Sequence, residues 1–316
     1  MKFGNMLFGV LAVSLFAGNA AAANKTHLMD LQGSGKSRFD ASFLLTQGSG
    51  EMRATLLGTT TNYKNKSSSN NLALSYAYGL TDRFDMALMI PLVGNYKYTS
   101  EYSTGGNQYK STAQWDGAGD VSLTATYQLM NKQANGVNWN LTGYVSPSTA
   151  SSTSATYEQS VNGVVTVAGT KGNNGRGYTE TGISTLVGVP TSFGDVVFDA
   201  KIYSGGEKTN AGVKTTYGSS KYFNIYLESV INTTTTLTPY VGYSSLGSTT
   251  TAGVTSSSPI YYSAGLMATV DVSSRLSLRG SLEYSKMKEY TNVFSGGSSV
   301  STFSQYAVGL SSMFFF

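Results

Sequence analysis

The sequence contains no cysteine and a single histidine, His27, among its 316 residues. Without cysteine the chain has no disulfide bond, no thiolate chemistry and no cysteine-bound metal. One histidine cannot build a histidine-rich metal site, and the usual general base near neutral pH is confined to a position outside every predicted strand. We therefore predict that the chain is not an enzyme and has no catalytic residues, no metal site and no cofactor.

Charged residues and proline are also scarce. Charged residues make up 12% of the chain, whereas an ordinary soluble domain carries about a quarter. A surface that faces lipid, or that is covered by uncharged loops, explains the shortage, although a soluble secreted β-sandwich is the alternative. The net charge of +4 is small and the lysines are scattered. We expect no nucleic-acid partner, because proteins that bind nucleic acid carry a clustered basic face.

A long hydrophobic run is absent after the first residues. Residues 1–23 have the pattern of a cleaved signal peptide: Lys2 is positively charged, Met6–Phe16 is apolar, and Ala20–Ala23 offers small residues for cleavage. No later stretch reaches the roughly 20 apolar residues of a membrane-spanning helix. If the mature chain spans a membrane, it must do so as a closed β-barrel, which leaves no backbone group unpaired in hydrocarbon.

The chain does contain residues that alternate in polarity with a period of two. From Leu72 to Leu80, from Phe84 to Leu92 and from Val121 to Leu129, large apolar residues alternate with mostly small or polar ones. Such alternation places one set on each face of a strand. It predicts an all-β, antiparallel, up-and-down transmembrane β-barrel of about 12 strands over residues 51–316. The predicted strands are 51–61, 70–79, 84–94, 119–129, 137–146, 178–188, 194–203, 221–231, 235–245, 260–270, 275–286 and 303–315.

The links between these strands alternate between short and long. This alternation is typical of outer-membrane barrels, in which short turns face the periplasm and long loops face outward. Aromatic residues recur near strand ends, as in the girdles at a lipid–water boundary. The girdle residues predicted from this pattern are Tyr76, Tyr78, Phe84, Tyr127, Tyr144, Tyr243 and Tyr284.

Residues 24–50 do not fit the count. Alternation from Phe39 to Leu45 resembles a strand, and Gln47–Gly50 could turn back into the first strand. Counting this segment would give thirteen strands and place the two chain ends on opposite sides of the membrane. We therefore predict a periplasmic or lumen-entering segment over 24–50.

The chain ends on an alternating apolar pattern that includes Phe314 and Phe316. A terminal phenylalanine in this setting resembles the targeting signal of bacterial outer-membrane proteins. It predicts the bacterial outer membrane as the location, with outer-membrane lipid and the barrel-assembly machinery as partners.

Charged residues on the polar face of the predicted strands are candidates to line the lumen. A basic side chain that faces lipid at mid-depth costs about 2–4 kcal/mol, so an inward orientation is favoured. An ion-paired network that fills the barrel and a solute-selecting pore both remain open, since twelve strands lie between filled and channel-forming barrels. The candidates are Asp85, Asp120, Asp199, Lys201, Glu228, Arg279 and Glu283.

Four segments together resemble a known family: Tyr78–Asp85, Met89–Leu92, Gly117–Leu123 and Asp271–Leu276. They are similar to the outer-membrane family named for the MetA pathway of phenol degradation. The resemblance implies a barrel that admits aromatic or other hydrophobic compounds, and it carries no catalytic set. The first segment itself indicates a tight periplasmic turn.

Two functions follow as hypotheses. The first is an outer-membrane channel or transporter for passive uptake of a small-molecule solute, hydrophobic or aromatic in character. The alternative is a closed structural or surface-interaction barrel without transport, whose sparsely charged loops 95–118 and 147–177 contact a partner.

Overall fold

The computed structural model describes residues 28–29, 31–132, 136–150, 155–170, 177–210, 213–251, 254–294 and 297–316. The predicted signal peptide, residues 1–23, lies outside the described residues. Within the described ranges, no helix is long and apolar enough to cross a membrane.

Twelve antiparallel strands form a closed barrel, which confirms the predicted fold class and strand number. Each strand pairs with its neighbours around the ring, and the pairings of β1 with β20 and of β2 with β3 complete it. The barrel strands are β1 Ser37–Leu56, β2 Thr59–Thr81, β3 Phe84–Thr104, β5 Ser122–Met130, β6 Asn138–Ser146, β9 Glu180–Thr191, β10 Gly194–Tyr203, β13 Ser220–Asn232, β14 Thr235–Ser245, β17 Ile260–Ser273, β18 Leu276–Met287 and β20 Gly297–Phe315.

The first and last strands of the barrel sheet meet where β1 pairs with β20. The Ser37 amide donates to the Phe316 carbonyl oxygen at 3.1 Å, and the Phe316 amide donates to the Ser37 carbonyl oxygen at 2.9 Å. The rings of Phe39 and Phe314 lie 6.4 Å apart on the same seam. Both ends of the barrel sheet therefore lie on one side of the membrane, the side of the short turns.

The predicted strand 51–61 and the barrel boundary at residue 51 are wrong. Residues 37–50 belong to β1, and the chain turns at Leu57 and Gly58, both with positive φ (48° and 82°). The count stays at twelve because 51–61 supplies the paired ends of β1 and β2. Gly48 and Gly50 do not form a turn. They make room for Phe303, whose ring atoms would lie within 3 Å of a Cβ at either glycine.

The outward face of the barrel carries an apolar band next to the short turns. Along β1 the outward residues from Phe39 to Leu45 are apolar, and Gln47, Ser49 and Glu51 follow. On the neighbouring β20 and the residue that follows it, the outward residues from Tyr306 to Phe316, all apolar except Ser312, span eleven positions, which matches the roughly 9–11 residues that a tilted strand needs to cross hydrocarbon. On the extracellular side of this band the strands continue beyond the membrane, and this outward extension carries polar residues.

The outward extension is built of strands where the sequence predicted loops. Residues 95–118 are mostly a hairpin of β3 and β4, and 62–69 lies within β2. Threonine and tyrosine are common there, and both favour extended backbone. The extension strands beside the barrel are β4 Asn107–Gly117, β7 Ala155–Val161, β8 Val164–Thr170 and β19 Tyr290–Phe294. A separate four-stranded sheet contains β11 Glu207–Asn210, β12 Val213–Tyr217, β15 Thr249–Thr251 and β16 Val254–Ser256.

The residues before β1 dock against the end of β2. The Gly35 amide donates to the Gly79 carbonyl oxygen at 2.9 Å, and the Gly79 amide donates to the Lys36 carbonyl oxygen at 2.9 Å. The Ser34 amide donates to Asp82 Oδ1 at 3.0 Å. A Cβ at Gly79 would lie 1.9 Å from the Gly33 carbonyl oxygen, so only glycine permits this approach.

We predict that Gly79→Ala displaces residues 33–36 from the barrel end, because the added methyl group cannot share space with the Gly33 carbonyl. Amide hydrogen exchange of the detergent-solubilised barrel should then accelerate at residues 34–36 and at residue 79. Gly143→Ala is the matched control, since a Cβ at this strand glycine meets nothing within 4 Å. Equal exchange in the two variants would contradict the assigned contact.

Candidate functional site: the barrel lumen

The lumen-facing side chains follow from strand parity. In β10 the buried residues alternate through Val197, Asp199, Lys201 and Tyr203, while Phe198 and Ile202 are exposed on the outer face. A closed ring has one enclosed face, so the buried set points into the lumen. The same alternation of buried and exposed residues holds in the other barrel strands, and it shows which face of the barrel each predicted candidate lies on.

Six of the seven candidates project from barrel strands on this inward face: Asp85, Asp199, Lys201, Glu228, Arg279 and Glu283. The first four are buried and the last two are half-buried. The seventh, Asp120, is buried just before β5. It accepts hydrogen bonds at 2.8 Å from the Thr149 and Ala150 amides, so it holds the link that follows β6.

Asp199 and Lys201 form a buried ion pair in the lumen. Their Oδ2 and Nζ atoms lie 2.7 Å apart, and both side chains are more than nine-tenths buried. Asn224 Nδ2 donates to the same carboxylate at 3.4 Å. Residues two apart on one strand share a face, and this spacing brings the two groups into direct contact.

A second buried ion pair was missed by the sequence reasoning. Arg38 Nε lies 2.8 Å from Asp40 Oδ1, and Ser75 Oγ donates to Asp40 Oδ2 at 3.0 Å. These residues lie in β1, which the strand count had placed outside the barrel. The alternation from Phe39 to Leu45 was the available signal, because it assigns Arg38 and Asp40 to the opposite, inward face.

Arg279 and Glu283 share a face but do not pair with each other, because four residues separate them along β18. Arg279 Nε donates to Thr269 Oγ1 at 2.9 Å, whereas Glu283 accepts a hydrogen bond from the Tyr240 hydroxyl at 2.5 Å. Each group therefore has its own neutral partner: Thr269 lies on the adjacent strand β17, and Tyr240 lies one strand further along the ring, on β14.

Leu28, Met29 and Gln32 contact the inward face of the barrel. The Leu28 amide donates to the Glu228 carboxylate at 3.0 and 3.2 Å, and the Gln32 amide donates to Asp85 Oδ2 at 2.6 Å. Asn140 Nδ2 donates to the Met29 carbonyl oxygen at 2.7 Å. This described part of the predicted amino-terminal segment thus enters the lumen at the periplasmic half.

Apolar contacts add to these hydrogen bonds. Leu28 and Met29 are buried in one cluster with Leu186, Val197 and Met267. Burying such side chains stabilises their position by about 1.5–3 kcal/mol each. The segment is therefore held in the lumen by both polar and apolar contacts.

A layer of tyrosines lines the lumen towards the extracellular end. The Tyr203 ring contacts Tyr144 and Tyr222 edge-on, with centroids 5.1 and 5.6 Å apart. Tyr261 is buried beside Phe303, in a cluster that also contains Leu246, Met287 and Tyr290. The predicted girdle position of Tyr144 is wrong, because its parity in β6 matches that of the buried Asn140. The same parity argument could have found Tyr203, two residues beyond Lys201.

At the outer mouth, Lys208 of the four-stranded sheet lies close enough to Asp120 for their charges to interact. Burial lowers the pKa of the Lys208 ammonium, and the Asp120 charge partly offsets this effect. Among the described residues, no group of three or more histidine or acidic side chains could hold a metal ion.

Comparison with known proteins places this architecture. No family model and no curated protein matches the chain. An outer-membrane channel from Pseudomonas putida F1 is similar in fold, with a TM-score of 0.56, 15% identity, and coverage of 91% of this chain and 98% of that one. A FadL homologue from Pseudomonas aeruginosa has a TM-score of 0.51 at 8% identity and covers 88% and 90% of the two chains.

An autotransporter barrel shares the fold as well. The transport unit of AIDA-I from Escherichia coli has a TM-score of 0.50 at 10% identity, covering 95% of this chain and 96% of that one. At such identities the likeness concerns the fold. Together with the closed ring, the outer apolar band and the polar lumen, it defines a β-barrel of the bacterial outer membrane.

We predict that Lys201→Met destabilises the barrel by about 3 kcal/mol, because it leaves the buried Asp199 carboxylate without its cation. The Asp199→Asn/Lys201→Met double variant should recover much of this loss, since neither charge then remains. Denaturant unfolding in detergent micelles measures both effects. Lys214→Met is the control, because it removes an exposed pair with Glu207 and should change nothing measurable. A double variant less stable than Lys201→Met would contradict the pairing.

Proposed function

We propose that the protein is an outer-membrane channel for the passive uptake of small hydrophobic or aromatic solutes. The observation that carries this proposal is the layered lumen. A tyrosine layer lies towards the outside, a charged layer lies towards the periplasm, and Leu28 and Gln32 of the amino-terminal segment bond to carboxylates of the charged layer. The resemblance of Tyr78–Asp85 and the other quoted segments to the MetA-pathway family of phenol degradation supports the same solute class.

The tyrosine layer suits apolar rings that enter from outside. Aromatic pairs contribute about 0.5–1.5 kcal/mol beyond their buried area, which is enough to attract a ring and too little to trap it. Conduction requires binding that is weak and spread over several sites. Tyr144, Tyr203, Tyr222 and Tyr261, on four different strands, offer such a series.

The charged layer has two roles in this proposal. Asp85 and Glu228 hold the amino-terminal segment through its backbone amides, whereas Asp199, Lys201, Arg279 and Glu283 line the path beside it. Because the segment bonds to Glu228 of β13 and to Asp85 of β3, which lie on distant parts of the ring, a solute passes only after the segment shifts. Asp120 positions the outer links through the Thr149 and Ala150 amides.

The proposal includes no catalytic role. Phe314 and Phe316 are proposed as the signal that the barrel-assembly machinery reads, since both lie on the closing strand seam. The apolar band is proposed to contact outer-membrane lipid.

A disulfide between residues 29 and 188 tests whether the segment controls passage. An ideal Cβ on Gly188 lies 3.2 Å from Met29 Cγ, which suits a disulfide in the Met29→Cys/Gly188→Cys variant. The native chain has no cysteine, so no other disulfide competes. We predict that the oxidised variant conducts at least about tenfold less ion current in planar bilayers than the same protein after reduction.

The two single-cysteine variants serve as controls and should conduct equally with and without oxidant. Equal current through the locked and reduced double variant would contradict control by the segment. A folded wild-type barrel without any conductance would instead contradict the channel function.

The outward extension supports the second candidate, a surface-interaction barrel without transport. The edge strand β8 is uncharged and exposes Val164, Val165 and Val167, and unpaired strand edges invite pairing with other chains. Removal of residues 95–118 and 147–177 should abolish cell adhesion if this function holds. Unchanged adhesion with retained conductance would favour the channel.

A further inference from the structure

A small cavity of about 90 Å³ lies in the lumen beside β1 and β18. Its polar wall contains Arg38, Asp40, Tyr240, Arg279, Ser281 and Glu283. Leu44, Met267 and Met313 supply an apolar wall. The cavity therefore has hydrogen-bonding groups next to a hydrocarbon surface, which is the composition of small-molecule sites.

Arg279 has spare hydrogen-bond donors at this cavity. Its Nε donates to Thr269 Oγ1, which leaves the two terminal nitrogens of the guanidinium. Across the described residues, no carboxylate oxygen lies within 4 Å of an Arg279 nitrogen. Arg38 pairs with Asp40 and Lys201 pairs with Asp199, so Arg279 differs from the other inward cations of the barrel wall.

The charges of the cavity wall select against ions. Arg38 and Arg279 contribute two positive charges, and Asp40 and Glu283 contribute two negative charges. An anion at Arg279 would face two carboxylates, and a cation would face two guanidinium groups. A neutral group with an acceptor oxygen meets the free donors of Arg279 without adding a charge to a buried site.

The volume limits the size of that group. At about 90 Å³ the cavity is smaller than the roughly 150 Å³ apolar cavity that holds benzene in another protein, so it accommodates a polar head group but not a whole aromatic ring. The ring of such a solute would lie against Leu44, Met267 and Met313.

We propose that this cavity binds the neutral oxygen-bearing head group, a hydroxyl or carbonyl, of a small hydrophobic solute, and that Arg279 is its specificity-determining residue. The inference rests on the proposed channel function and refines it. It predicts that the barrel prefers an apolar molecule with one neutral oxygen over the same hydrocarbon without oxygen and over the corresponding anion.

The test uses benzyl alcohol, toluene and benzoate as probes, with binding to the intact detergent-solubilised barrel measured by saturation-transfer NMR titration. Wild type should bind benzyl alcohol at least about tenfold more tightly than toluene or benzoate, because a hydrogen bond to a charged donor favours it. Arg279→Met should abolish this preference while toluene affinity stays unchanged. Arg275→Met is the matched control, since Arg275 lies exposed in the turn before β18.

Each other result overturns the inference. Equal loss of benzyl alcohol and toluene binding in Arg279→Met means a structural role for Arg279, and preferential loss of benzoate means an anion site. A folded barrel migrates differently on a gel before and after heating. If Arg279→Met shows no such difference, the comparison of the three probes in wild type is the test, and the absence of a preference for benzyl alcohol overturns the proposal. If water alone occupies the cavity, wild type also shows no preference for benzyl alcohol, and this result likewise overturns the proposal. Failure of the channel function is distinct, because it appears as absent conductance in wild type.

Discussion

Closure of the backbone hydrogen-bond ring is the constraint on which the rest of the structure depends. In hydrocarbon an unpaired amide or carbonyl costs several kcal/mol, so a sheet can cross a membrane only without an edge. The seam between β1 and β20 provides this closure, from Arg38 opposite Phe315 to Leu56 opposite Gly297. Because the ring is closed, parity along each strand separates lipid-facing from lumen-facing side chains.

Charged side chains of the barrel wall can therefore be buried in the lumen, where they do not face lipid. Asp199 with Lys201 and Arg38 with Asp40 place opposite charges in direct contact, which offsets the cost of removing them from water. Asp85 and Glu228 are partnered differently, by backbone amides of residues 28 and 32. Buried carboxylates of the barrel wall thus attach the amino-terminal segment to the inside of the barrel.

The alternation of polarity along the sequence predicted most of the fold. Strands such as β5 and β17 were predicted within a few residues, because a one-residue slip would exchange their two faces. The error at β1 has a local cause: Gly48 and Gly50 resemble turn residues, yet they make space for the Phe303 ring 253 or more positions along the chain. Such a long-range contact leaves no mark within the segment itself. The contact of Gly79 with the Gly33 carbonyl escaped prediction for the same reason.

The lumen residues were predictable to the extent that they follow strand parity. Asp199, Lys201 and Glu228 followed from it, but the partners of Glu228 and Asp85 did not, because no sequence pattern fixes where the amino-terminal segment runs inside the barrel.

The central claim, a solute path that continues through this lumen, is tested most directly by the ion current through single wild-type barrels while benzyl alcohol is added on the extracellular side. The account predicts a measurable current that the solute interrupts in a concentration-dependent manner. A correctly folded barrel that carries no current, or a current that the solute never interrupts, would contradict it.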